Sequence, residues 1–140
     1  MLSKSRHSVK GFTLIEVMVV VVILAILAVI VAPKFLSRPE QAREVKAKQD
    51  ILAIQSALDL YKLDNGFYPT TEQGLQALVT KPSAPPVPMN WKEDGYLNKV
   101  PIDPWGHAYH YVNDNERIQI FTYGRQNQPG KGTISNVDQQ

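Results

Sequence analysis

The stretch Lys10-Gly11-Phe12-Thr13-Leu14-Ile15-Glu16 decides the fold because it opens onto a long apolar run. Residues 17–32, Val-Met-Val-Val-Val-Val-Ile-Leu-Ala-Ile-Leu-Ala-Val-Ile-Val-Ala, carry no polar side chain. Counted from Phe12, 21 residues run to Ala32 with only Thr13 and Glu16 as interruptions. At about 1.5 Å per residue that is roughly 31 Å of helix, close to the hydrocarbon thickness of a bilayer. A helix that is apolar on every side is not the surface helix of a soluble domain. Val and Ile lose side-chain freedom in a helix. Lipid nevertheless favours helix, because each backbone amide must find its partner within the segment.

Glu16 is out of place in such a segment. A carboxylate in a membrane span costs roughly 2.5–3.5 kcal/mol at the centre and less toward an end, and such residues are usually paired and functional. No basic residue lies in 17–32, and Lys10 is six positions upstream, off the helical face of Glu16. A cut after Gly11 would change this. Phe12 would then carry an α-amino group, a cation at neutral pH. It would sit about one helical turn before Glu16. Within one chain it partly compensates the carboxylate. Between chains, the amine of an incoming subunit can pair with Glu16 of its neighbour, weakly screened in lipid.

Two plainer readings compete. A secretory signal needs small residues before a downstream cut, and Ile30-Val31-Ala32-Pro33 does not suit it. An uncleaved anchor fits the length but leaves Glu16 unexplained. Lys4, Arg6 and Lys10 precede the span and Lys34, Arg38, Arg43, Lys46 and Lys48 come after it, so the positive-inside rule does not fix the orientation. A short leader and a bulky remainder favour an N-terminus inside.

The 140 residues suggest one domain, and the formal charge of +2 gives no reason to expect nucleic acid as a partner. The absence of cysteine excludes disulfides, thiolate metal sites and a cysteine nucleophile. Without residues 1–11, Lys and Arg fall from 15 to 12 against 13 acidic residues, a net charge of −1.

Pro33 is expected to kink or locally unwind the helix near residues 29–33, and Pro39 could do the same. Beyond them Ala47, Ile51, Ile54, Leu58 and Tyr61 form one apolar stripe at helical spacing. Asp64-Asn65-Gly66 is a stop signal. Thr70 or Thr71 is expected to cap a short helix reaching about Val79. Residues 81–88 read as a proline-rich connector. Pro101-Ile102-Asp103-Pro104-Trp105-Gly106 reads as a turn, with Trp105 expected to anchor it. Residues 108–112 and 118–122 alternate around Asn113-Asp114-Asn115-Glu116, which predicts an antiparallel hairpin. The fold class expected is α+β: a long N-terminal helix, membrane-spanning then amphipathic, packed on a small antiparallel sheet. The division expected is a basic leader (1–11), a membrane and filament-core helix (12–32) and a globular head (33–140).

Nothing points to catalysis. His107 and His110, three apart, are expected on opposite faces of a strand without a nucleophile or metal partner. Gly130-Lys131-Gly132-Thr133 lacks the first glycine and the following helix of a phosphate loop.

Gly11 before Phe12-Thr13-Leu14-Ile15-Glu16 and a long apolar helix resembles the class III signal of type IV pilins and pseudopilins. The resemblance implies a type IV pilin-like fold. It implies that a prepilin peptidase cuts between Gly11 and Phe12 and methylates Phe12, giving N-methylphenylalanine. It also implies that Phe12 and Glu16 guide packing into a helical filament. Tyr68-Pro69-Thr70-Thr71-Glu72-Gln73-Gly74-Leu75 and Asp103-Pro104-Trp105-Gly106, with Tyr109 and Tyr111 after it, resemble the type II secretion major pseudopilins in particular. The implied function is a structural subunit of a periplasmic pseudopilus. It would be anchored once in the bacterial inner membrane with its head in the periplasm and would drive export of folded proteins. Implied partners are further copies of the chain, minor pseudopilins, the inner-membrane secretion platform and the peptidase. A type IV pilin or competence pseudopilin is the first alternative, and a membrane-anchored periplasmic enzyme the second.

Members of that family commonly hold calcium in the C-terminal loop, using aspartates. Gln126 and Thr133 stand where that pattern has them. Calcium takes six to eight oxygen ligands, normally with several carboxylates. The loop 124–138 offers only Asp138, beside Arg125 and Lys131. No tight calcium site is expected, and Lys131 or Arg125 is expected to replace the ion's charge by bonding loop carbonyls.

Overall fold

The computed structural model describes the backbone of residues 10–139 and the side chains of 10–31 and 38–138. The leader residues Lys4 and Arg6 lie outside the described residues. The chain divides into two compact units, with the boundary after Pro39.

Helix α1 (Leu14–Asn65) is 52 residues long and contributes to both units. It runs on through Pro33 and Pro39, so neither proline ends the helix. In the first unit the span Leu14–Val31 has no buried position.

In the second unit, α1 buries one stripe. Ala47, Ile51, Ile54, Leu58 and Tyr61 are all fully buried, as the spacing of four, three, four and three requires. The helix stops where the chain turns left-handed at Gly66, whose φ is +85°. The Gly66 N–H donates to the Lys62 carbonyl at 2.7 Å, closing the last turn. Asn65 then ties the helix end to the connecting loop. Its Oδ1 accepts from the Asn90 N–H, and Tyr96 Oη donates to Asp64 Oδ2 at 2.9 Å.

Strands β1 (His110–Asp114) and β2 (Arg117–Thr122) pair antiparallel, with β3 (Ile134–Ser135) on the far side of β2. The inner face of this sheet sends Tyr111 and Ile120 against the helix stripe, joined by Tyr109 and by Leu75, Ala77 and Leu78 of a short 3-10 helix (Leu75–Leu78). The fold is α+β with a three-stranded antiparallel sheet, as the sequence predicts.

Several local details differ from expectation. The hairpin turn is Asn115-Glu116, both at positive φ, and Asn113 and Asp114 belong to β1. Asn113 stays in the strand because Thr71 Oγ1 accepts its N–H and the Pro69 carbonyl accepts its Nδ2. His107 is not on a strand at all; it comes directly after the turn at Gly106. His110 is on β1, exposed and stacked on Phe121 with ring centroids 5.0 Å apart. Thr70 caps the turn before the 3-10 helix rather than the helix. Its Oγ1 accepts the Gln73 N–H at 3.1 Å while Gln73 Oε1 accepts the Thr70 N–H at 3.0 Å, a reciprocal pair.

Candidate processing and assembly site

The first turn of α1 carries a capping device that the charge pattern of the sequence does not reveal. Thr13 precedes the helix, and its Oγ1 accepts the Glu16 N–H at 3.3 Å. The Thr13 carbonyl accepts the Val17 N–H, also at 3.3 Å. Thr13 is therefore the N-cap and Glu16 the third helical residue. The signal is present as Thr-x-x-Glu before an apolar run, the sequence signature of a capping box. The position matters electrostatically. Unpaired N–H groups give a helix N-terminus a partial positive charge, which favours a carboxylate in the first turn. The cost of Glu16 in an apolar segment is offset in part by the fold itself.

Glu16 is exposed, and it shares one groove of the helix surface with Phe12, Val17, Val20 and Val21. Phe12 is 86% exposed. Phe12, just before the N-cap, and Glu16, in the first turn, thus border one groove, and both are exposed. Gly11 lies just before the helix. A side chain built there would meet nothing within 4 Å, and Gly11 does not have a positive φ. Neither space nor backbone geometry demands glycine at this position.

The second cluster of residues singled out from the sequence is the turn Asp103-Pro104-Trp105-Gly106. Asp103 is buried, and its carboxylate is a hub. Oδ1 accepts the N–H of Trp105 at 3.0 Å and of His107 at 2.8 Å. Oδ2 accepts the Thr122 hydroxyl, whose oxygen in turn accepts the Gly124 N–H at 3.1 Å. The Asp103 N–H donates to the His107 carbonyl at 2.8 Å. Gly106 closes the turn at φ +90°, with its N–H on the Asp103 carbonyl. Trp105 Nε1 donates to Glu40 Oε1 at 3.0 Å, fixing the turn to α1. One carboxylate thereby joins the turn to the end of β2 and to the start of the C-terminal loop.

Tyrosines complete the polar framework. Tyr109 Oη donates to Asp50 Oδ2 at 2.7 Å, and Lys46 pairs with the same carboxylate at 2.8 Å. Burial first, and the Asp50 carboxylate second, push the Tyr109 phenol well above its ordinary range. Burial also raises Tyr111, whose hydroxyl donates to the Pro69 carbonyl. Burial, followed by the hydrogen bond to Asp59, raises Tyr68 to about 12. Burial raises Tyr61 to about 12, and its hydroxyl finds no hydrogen-bond partner among the described residues.

The C-terminal loop does not fit calcium. Among the described residues no group of three His, Cys, Asp or Glu side chains could hold a metal ion. A cavity of about 250 Å³ beside the loop is lined by Glu44 and Asp138, but equally by Lys48 and Lys131. Two carboxylates facing two ammonium groups leave no net charge to balance a divalent cation. The expected replacement of the ion's charge by Arg125 or Lys131 does not occur. Both are exposed, and neither bonds a loop carbonyl among the described residues. An extended cation gains little by giving up water for a neutral carbonyl.

Residues 34–139 match the family described as Type II secretion system (T2SS), protein G, and residues 6–32 match the prokaryotic N-terminal methylation motif. The chain belongs to the type II secretion system protein G family. The type II secretion system core protein G of Pseudomonas aeruginosa is 53% identical over 135 residues, covering 95% of this chain and 94% of that one. The core protein G of Vibrio cholerae is 50% identical over 137 residues, covering 96% and 93%. The crystal structure of the major pseudopilin from the type 2 secretion system of enterohaemorrhagic Escherichia coli superposes with a TM-score of 0.66 at 42% identity, covering 74% of this chain and 93% of that one. As a protein G family member, this chain is a structural subunit of the secretion assembly, a major pseudopilin with an N-terminal methylation motif and an apolar helix suited to membrane anchoring. Family membership decides between the machines left open by the pilin signal alone.

Proposed function

We propose that a prepilin peptidase removes residues 1–11 by cutting between Gly11 and Phe12, and that Phe12 becomes N-methylphenylalanine. The processed chain spans the inner membrane once through residues 12–32, with residues 33–140 in the periplasm. It then leaves the membrane and polymerises with further copies into a pseudopilus that drives folded proteins toward the outer membrane. Minor pseudopilins and the inner-membrane secretion platform are its partners in this step.

The observation that carries the reading is the groove that Phe12 and Glu16 border at the otherwise apolar and uncovered start of α1. Cutting after Gly11 places a cation beside this carboxylate where the sequence supplies none. Methylation keeps that charge while adding apolar surface. In lipid, an amine and a carboxylate on different chains attract strongly, because little water intervenes. Gly11 supports the same reading from the other side. The fold does not require glycine there, so a peptidase that needs an unhindered backbone is the reason for it.

Co-expression with a prepilin peptidase tests the proposal. Mass spectrometry should show the natural chain beginning at methylated Phe12, and Gly11→Val should remain at full length. A shortened Gly11→Val chain would contradict the reading.

A further inference from the structure

Loop 124–133 joins β2 to β3, and its closure depends on a residue just past β3. The Asn136 backbone N–H donates to the Ile120 carbonyl at 3.0 Å. Asn136 Oδ1 accepts the Ile120 N–H at 2.9 Å, and Nδ2 donates to the Ile118 carbonyl at 3.2 Å and to Gln55 Oε1 at 2.9 Å. One side chain therefore bonds the edge of β2 twice and reaches α1 as well. A carboxamide is suited to this because it combines an acceptor with two donors. A carboxylate at the same place would set acceptor against acceptor at the Ile118 carbonyl.

A second contact closes the loop at its base. A Cβ on Gly124 would lie 2.5 Å from the Gly132 carbonyl oxygen, and one on Gly132 would lie 3.4 Å from the Tyr123 carbonyl oxygen. The two ends of the loop therefore pack backbone on backbone. The Thr133 N–H donates to the Gly130 carbonyl at 3.1 Å, tightening the turn between them.

We propose that the Asn136 carboxamide, and not a bound cation, closes the C-terminal loop of this chain, so that its folded state is independent of calcium. The carboxamide satisfies the β2 edge with neutral bonds already inside the fold. The glycine contact holds the two ends of the loop base together without an ion. Among the described residues, no set of carboxylates competes for the task. The inference concerns the stability of residues 40–140 and does not rest on the processing proposal.

The test uses the full chain in detergent micelles, with thermal unfolding read by tryptophan fluorescence. Trp105 lines the cavity between α1 and the loop, and Trp91 packs against the core. The wild-type midpoint should be the same in excess chelator and in millimolar calcium. Asn136→Ala should lower it by several degrees in both, with no recovery on adding calcium. Gln55→Ala should lower it less, since it removes one of the bonds to Asn136 and an exposed one to Asp59. A calcium-dependent rise of several degrees in the wild-type midpoint overturns the inference. So does an Asn136→Ala variant that melts with the wild type. If Asn136→Ala fails to fold, the wild-type comparison and Gln55→Ala still decide the matter.

Discussion

Removing the Asp103 carboxylate should cost more stability than any other single change in the 101–107 turn. Three hydrogen bonds end on it, from Trp105 N, His107 N and Thr122 Oγ1. Its side chain is fully buried. Bonds to a charged group contribute about 1.5–3 kcal/mol each, though the sum overstates the effect. The Trp105 and His107 amides lie at a half-exposed turn and can regain water, whereas the buried Thr122 hydroxyl cannot. Asp103→Ala is therefore expected to destabilise by about 3–4 kcal/mol. Asp103→Asn keeps the two N–H acceptors and disturbs only the bond to Thr122, so it should cost about 1–2 kcal/mol. For a domain near 100 residues, each kcal/mol moves the midpoint by about 4–8 °C. Asp103→Ala should thus melt at least ~12 °C below the wild type. Thr122→Val provides the cycle: paired with Asp103→Ala, its effect should be markedly non-additive, because the two changes break the same bond. Thermal unfolding of the full chain in micelles gives all four midpoints. An Asp103→Ala midpoint within ~4 °C of wild type, or additive effects, refutes the hub.

The same framework carries three further outcomes. Tyr61→Phe removes a buried hydroxyl without a partner among the described residues and should raise stability by about 1 kcal/mol, read in the same melt. Gly124→Ala introduces a Cβ 2.5 Å from the Gly132 carbonyl at φ +72°, and should cost at least ~2 kcal/mol. Stability should fall in strong base. The folded state holds Tyr61 and Tyr68 protonated to about 12, while the unfolded chain releases these protons near 10. Their contribution is complete below pH 10 and is lost as pH rises through 12, which phenolate absorbance and unfolding followed together will show.

Much of the fold is legible in the sequence, for reasons particular to each element. The stripe from Ala47 to Tyr61 repeats at a helical period over four turns, and every member is buried. Asp64-Asn65-Gly66 announces the helix end because only a residue tolerant of positive φ suits that stop. The proline-rich segment could not be helix or central strand, and is neither. The boundaries of β1 are harder. Asn113 and Asp114 are turn residues by propensity, and a side-chain bond to Thr71, 42 residues away, holds Asn113 in the strand. Distant partners also explain the roles that the sequence does not show. Asp103 reads as a turn residue because its bond to Thr122 is 19 residues away. Asn136 reads as loop because its partner Gln55 is 81 residues away. Thr13 is the exception. Its cap is local and its signature lies in the opening stretch, but the charge of Glu16 conceals its place as the third residue of a helix.

The central claim is that Glu16 serves assembly through the amine that processing creates at Phe12. The direct measurement is filament formation by Glu16→Val in cells that carry the peptidase and the secretion platform. The variant should be cut and methylated, should insert in the membrane and should melt like the wild type in residues 40–140. It should nevertheless form no pseudopili and secrete no cargo. Pseudopili and secretion at wild-type levels from Glu16→Val would contradict the account.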